Sequence, residues 1–190
     1  MIQIKNAAEL QKMRKACAIS AAALKAGGEA IEPGITTAEI DKIIYDFIVR
    51  HGARPNFLHL YGFPATACIS VNDTVIHGIP NKQQQIRPGD IVSIDTGCKI
   101  DGFNGDNACT YACGKIDLEA QRLLDVTKES LHRGIEMARG GNRVGDIGHA
   151  VQTYVEENGF SVVRSFVGHG VGKELHEDPE VPNFGNVGRG

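Results

Sequence analysis

Two aspartates, Asp95 and Asp106, and three histidines, His77, His169 and His176, are the residues of this chain best suited to chemistry. Carboxylates offer hard oxygen ligands and suit divalent cations. A neutral imidazole is a common metal ligand, and it exchanges protons near neutral pH. His77 lies in IHGIP. His169 and His176 lie in VGHGVGKELHEDP, residues 167–179. That run is too glycine-rich for a helix interior and too polar for a core strand. It reads either as an exposed loop or as a site that sets imidazoles beside open backbone. His51, His59, His132 and His149 have ordinary contexts at helix ends, on helix faces or in loops.

The aspartates need an element that aims them together. DIVSIDTGCKI, Asp101-Gly102 and FNGDNACTYAC read as a β-hairpin with a two-residue loop. This register places Ile100 opposite Phe103 and Asp95 opposite Ala108. Asp106 is then the diagonal neighbour of Asp95 on the same face. That face also carries Ser93, Gly97, Asn104, Ala108 and Thr110. The other face collects Val92, Ile94, Cys98, Ile100, Phe103, Cys109 and Tyr111 and reads as buried. A solvated surface pair of carboxylates tolerates this proximity. A partly enclosed pair raises a pKa or recruits a cation. Upstream, ACISV (67–71) and TVIHGI (74–79) read as short strands, and Arg87-Pro88-Gly89-Asp90 reads as a type II turn.

Helices surround this β segment. Leu10, Met13, Cys17, Ala21 and Leu24 recur at helical spacing. Thr36-x-x-Glu39 is a capping-box pattern ahead of the stripe Ile40, Ile43, Ile44, Phe47 and Ile48, and Gly52 ends the helix. Leu124, Thr127, Leu131, Ile135 and Ala138 form a later stripe. Ile147, Ala150, Val151, Tyr154 and Val155 follow, with Gly159 after them. An offset of 107 carries Leu24 onto Leu131, Gly34 onto Gly141, Ile40 onto Ile147, Phe47 onto Tyr154 and Gly52 onto Gly159. The pattern predicts a structural duplication. A second hairpin is then expected near positions 198–217. The chain ends at Gly190, so the second half reads as cut short.

Composition bounds the rest. At 190 residues, 42% hydrophobic and 23% charged, the chain suits a globular fold. A net charge of −3 without a basic run argues against direct nucleic-acid or anionic-membrane binding. Five cysteines with no CxxC spacing argue against a disulfide framework or a zinc knuckle, and for a reducing cytoplasm. The N-terminus has no apolar signal region, and no stretch is apolar enough to span a membrane.

CISVNDTVIHGIP, DIVSIDTGCKIDGFNGDNACTY and FVGHGVGKELHEDP, in that order, resemble the bacterial type I methionine aminopeptidase family. The resemblance runs along essentially the whole chain. It implies an α+β pita-bread fold: one metallopeptidase catalytic domain over 1–190, with pseudo-symmetric halves at roughly 1–113 and 117–190, the second incomplete. It implies two divalent metal ions (Co, Mn, Fe, Zn or Ni), with Asp95 as a bidentate ligand, Asp106 bridging and His169 as a further ligand. His77 and His176 would contact substrate and assist charge development at the scissile carbonyl. Phe63 and Cys68 would line the methionine pocket. The implied activity is removal of N-terminal methionine from nascent polypeptides with a small second residue, in the cytoplasm and near the ribosome.

The sequence departs from the family at Tyr61, where a histidine is usual. The family's two remaining ligands, both glutamates, lie beyond Gly190, and Glu174, Glu177 and Glu180 sit in the wrong motif to replace them. The alternatives are an incomplete, inactive fragment and a non-enzymatic pita-bread peptide-binding protein. A prolidase-type peptidase is a further one, although those carry a large domain ahead of the catalytic one. Retention of Asp95, Asp106 and His169 argues against loss of the metal site.

Overall fold

The computed structural model describes all residues, Met1–Gly190. By their internal contacts these form two compact units: Ile4–Asp117 with Val171–Leu175, and Met1–Gln3 with Leu118–Gly170 and His176–Gly190.

The first unit holds helices α1 (Ala7–Glu29) and α2 (Thr37–Arg50) and strands β1 (Arg54–Pro55), β2 (Ala67–Val71), β3 (Ile91–Ile100) and β4 (Phe103–Ala112). The Thr36/Glu39 capping box forms in both directions: Thr36 Oγ1 accepts from the Glu39 N–H, and the Glu39 carboxylate accepts from the Thr36 N–H. Such a box satisfies donors that a helix start leaves orphaned. Ile40, Ile44 and Ile48 fall on one face of α2 and are fully buried. Gly52, at φ +72°, follows the helix end as expected.

β3 is the middle of the sheet. One edge pairs antiparallel with β2 and, further along, β1; the other pairs with β4 along its whole length. The hairpin register is the one read from the sequence: Ile100 faces Phe103 and Asp95 faces Ala108. Asp101 and Gly102, both at positive φ, close the two-residue turn. The 87–90 turn also forms, with Gly89 at φ +95° and the Asp90 N–H donating to the Arg87 carbonyl.

Two expectations fail here. Residues 74–79 are not a strand. Asn72 and His77 both adopt positive φ, which breaks an extended run. The segment bonds back to β2 at its two ends: the Thr74 N–H donates to the Val71 carbonyl, and at Gly78 the Ile69 N–H donates to the Gly78 carbonyl while the Gly78 N–H donates to Ser70 Oγ. A Cβ on Gly78 would stand 2.2 Å from the Ile69 carbonyl oxygen, so this close approach requires glycine.

The buried face of the hairpin is also narrower than its pattern. Val92, Ile94, Cys98 and Phe103 are buried, but Cys109 is exposed and Tyr111 only partly covered. The helix over this face, α1, buries its small residues Ala16, Ser20, Ala23, Gly27 and Gly28, whereas Leu10, Cys17 and Ala21 of the apolar stripe remain exposed. Small side chains let backbone approach backbone: a Cβ on Gly105 of β4 would come within 2.6 Å of the Ala16 main chain.

The second unit holds α3 (Leu118–Met137), α4 (Val144–Glu157), β5 (Gly168–Gly170) and β6 (Glu177–Val181). The offset of 107 carries α2, residue for residue, onto α4, and Gly34 and Gly141 share φ values of +98° and +95°. Asp146 takes the place of Glu39 under the same offset. Its carboxylate accepts the N–H groups of Arg143 and Gly188, which hold it below the usual carboxylate range. β5 and β6 pair antiparallel with an irregularity after His169. No helix of the chain is long and apolar enough to cross a membrane.

Candidate metal centre

The carboxylate pair forms. Asp95 opposes Ala108, Asp106 opposes Gly97, and the unbroken register puts both side chains on one face of the hairpin. Asp95 and Asp106 are hydrogen-bonded to each other, which requires a proton between them. Burial first, then the charge of Asp106, push the Asp95 carboxyl up to about 7. Two carboxylates held this close in a partly dry setting cannot both ionise cheaply. A dication in the proton's place would relieve both the repulsion and the lost hydration. The paired carboxylates supply the hard oxygen donors a divalent ion prefers, although no third His, Cys, Asp or Glu side chain is gathered with them into one metal-binding cluster.

Cys68 lies directly opposite Asp95 on β2 and is buried. Burial, and then Asp95 and Asp106, push its thiol up to about 12. It remains neutral at physiological pH and offers neither a nucleophile nor a thiolate ligand. It can serve as a small apolar wall beside the carboxylates. Asp41 of α2 braces this strand from behind, accepting the N–H groups of Thr66 and Ala67 at 2.9 and 2.8 Å. Asp41 carries no functional signal in the sequence: a carboxylate one position after the buried Ile40 has no motif attached.

Phe63 is half-buried and closes a single 3₁₀ turn at Leu60–Gly62. Tyr61 in that turn is 91% exposed, at φ +49°. His77 is exposed in the left-handed conformation, held next to β2 by the Gly78 bonds.

The other two imidazoles belong to the second unit. His169 on β5 and His176, one residue before β6, meet edge-to-face with ring centroids 4.5 Å apart. His169 Nδ1 bonds the Gly170 carbonyl at 2.9 Å. When Nδ1 carries the proton for that bond, Nε2 is the unprotonated nitrogen, the form in which an imidazole ligates metals. The tight β5–β6 approach depends on Gly170, where a Cβ would stand 2.4 Å from the Asp178 carbonyl oxygen. The structure thus brings Asp95, Asp106 and Cys68 together in one unit, and His169 and His176 together in the other.

Residues 11–189 match metallopeptidase family M24. A methionine aminopeptidase of Clostridium perfringens is 54% identical over all 190 residues, which cover 76% of that relative. The crystal structure of a methionine aminopeptidase from Thermotoga maritima superposes with a TM-score of 0.98 at 42% identity, covering all of this chain and 76% of that one. A prolidase from Pyrococcus furiosus shares the fold, with a TM-score of 0.83 at 24% identity over 98% of this chain and 54% of that one.

Proposed function

The chain belongs to metallopeptidase family M24, and on that premise we propose that it removes the N-terminal methionine from nascent polypeptides whose second residue is small. The observation that carries the reading is the proton-sharing Asp95–Asp106 pair, set on one face of the hairpin within a sequence 54% identical to a methionine aminopeptidase.

Asp95, Asp106 and His169 would hold the two divalent ions (Co, Mn, Fe, Zn or Ni), with carboxylate oxygens from the aspartates and an imidazole nitrogen from His169. When bound, such ions supply Lewis acidity to the peptide carbonyl and lower the pKa of the attacking water. His77 and His176 donate hydrogen bonds to the substrate as negative charge grows on the carbonyl oxygen. Phe63 and the neutral Cys68 line the pocket for the methionine side chain. Oxygen and nitrogen donors do not discriminate sharply among the candidate metals. The 190 residues make one catalytic domain with pseudo-repeated halves, roughly 1–113 and 117–190. The enzyme works in the cytoplasm, close to the ribosome that supplies its substrate.

The test is a calorimetric titration with manganese(II) or cobalt(II), run beside a Met-Ala-Ser cleavage assay. Wild type is expected to bind metal, and methionine release tests whether Asp95, Asp106 and His169 suffice without the two glutamates that complete the family's ligand set. Asp106→Ala is expected to lose both, because it removes one of the two paired carboxylates that would hold the metal. Metal binding that survives Asp106→Ala would overturn the ligand assignment. Bound metal without methionine release would overturn the activity.

A further inference from the structure

Asn104 stands two residues before Asp106 on the same face of β4, opposite Lys99. It is 2% exposed, and a buried amide costs free energy unless it is bonded. Its Nδ2 group donates both hydrogens, one to the Gly172 carbonyl and one to the Lys173 carbonyl, each at 2.9 Å. Its main-chain N–H donates to the same Gly172 carbonyl, also at 2.9 Å. Lys99 Nζ adds a further bond to the Lys173 carbonyl. The Lys173 ammonium pairs with Glu9 of α1 at 2.9 Å and lies 5.8 Å from the Phe103 ring centroid. One buried amide thus gathers two consecutive carbonyls of a glycine-rich run, with charged groups gripping the same dipeptide from either side.

The dipeptide is placed in sequence between the two imidazoles. Gly172 follows His169 by three residues, and Lys173 precedes His176 by three. The five residues Val171–Leu175 pack with the unit that carries Asn104 and the aspartates, while His169 and His176 flank them in the chain. A chain pinned in its middle leaves its flanking residues little freedom, and an error of about 1 Å in a catalytic group can cost ~100-fold in rate.

We propose that Asn104 is a positioning residue. By clamping Gly172 and Lys173 to β4 it fixes the stance of His169 and His176. The inference rests on the roles given above to those histidines. A role limited to filling space in the hairpin would need only volume, whereas positioning needs the two N–H donors.

Asn104→Leu keeps the volume and removes the donors. Asn104→His returns one donor, since imidazole Nδ1 occupies the place of the amide nitrogen. Ile94→Val, in the buried face of β3, serves as a control that loosens the hairpin without touching the clamp. The first readout is the imidazole nitrogen NMR spectrum of the 190-residue chain under chelator, with His51 and His132 as internal references. Asn104→Leu is expected to shift the His169 and His176 signals and leave the references in place. Ile94→Val should move neither pair, and Asn104→His should recover part of the shift. Cobalt(II) titration then reads the consequence: affinity is expected to fall roughly 10-fold in Asn104→Leu, the low end for losing a residue that supports a ligand.

Unmoved His169 and His176 signals in Asn104→Leu, or equal shifts in Ile94→Val, would overturn the proposal. If Asn104→Leu fails to fold, Lys99→Met, which removes one bond of the clamp, should move the same two signals by less. Silence in both Lys99→Met and Asn104→His would then overturn it. Failure of the wild type to bind cobalt would sink the metal reading instead, and leaves the imidazole comparison as an independent test of the clamp.

Discussion

The hairpin register puts Asp95 and Asp106 on one face, and the proton that Asp95 then retains makes the chain sensitive to pH. Burial and the charge of Asp106 raise Asp95 from 3.8 to about 7. The unfolded chain gives up this proton near pH ~4, the folded chain only near pH ~7. The neutral form therefore contributes its full stability below about pH 4, and the contribution is lost as pH rises toward about 7. Under chelator, the urea midpoint is expected to fall across this window, and Asp106→Asn should flatten the fall. A wild-type midpoint that rises there would contradict the account. Metal competes with the same proton, so manganese affinity should weaken as pH drops below about 7. Both aspartates were legible in the sequence, because a two-residue turn fixes hairpin parity. The buried amide of Asn104 was legible only as a member of the same face. Its partners lie 68 and 69 residues away, and no local pattern encodes them.

At the scale of the elements, the contact between α1 and the hairpin depends on residues that lack bulk. Gly105→Ala drives a methyl group into the Ala16 main chain, and backbone cannot rotate aside as a side chain can. A loss of roughly 1–3 kcal/mol, the usual cost of overpacking, is expected from denaturant unfolding. An unchanged midpoint would mean that α1 moves off the sheet without cost. At the start of α2, Thr36→Ala removes one side of the capping box and should cost about 1 kcal/mol by the same measurement. The cap was readable because its partners are three residues apart. The packed face of α1 was not. Of the apolar stripe only Leu24 is buried and Met13 partly so; Leu10, Cys17 and Ala21 stay exposed while the sheet selects Ala16, Ser20 and Gly27, because close approach outweighs apolar area along this helix. The 74–79 segment departs from its pattern for a related reason: its alternation suits a strand, but Asn72 and His77 turn the backbone left-handed before a ladder can form.

Over the whole molecule, apolar burial is unequal. The main core cluster lies within Ala23–Cys113, and beyond Cys113 only Val126 and Val155 are buried hydrophobics. Native-state hydrogen exchange is expected to leave β3 and β4 protected longest and to open α3 and α4 first. Equal protection of the two units would contradict this. Leu131 and Ile135, one turn apart on α3, are 59% and 58% exposed, although the 107-residue offset maps Leu131 onto the buried Leu24. An exposed apolar pair of this kind favours association. Sedimentation is expected to show concentration-dependent self-association that the double substitution Leu131→Lys with Ile135→Lys reduces.

The family, and the α+β pita-bread fold it implies, were accessible through the resemblance of three motifs in order, while the α2 cap, the hairpin turn and the repeat offset were readable as properties of near neighbours or of fixed spacing. Those are the features that φ/ψ preferences and side-chain periodicity write directly into a chain. Which face of α1 is buried, where the 74–79 segment turns, how far Asp95 is driven to keep its proton, and which carbonyls Asn104 holds were decided only by tertiary structure. Each depends on the desolvation and close approach of groups far apart in sequence, and these come into being only when the chain has closed on itself.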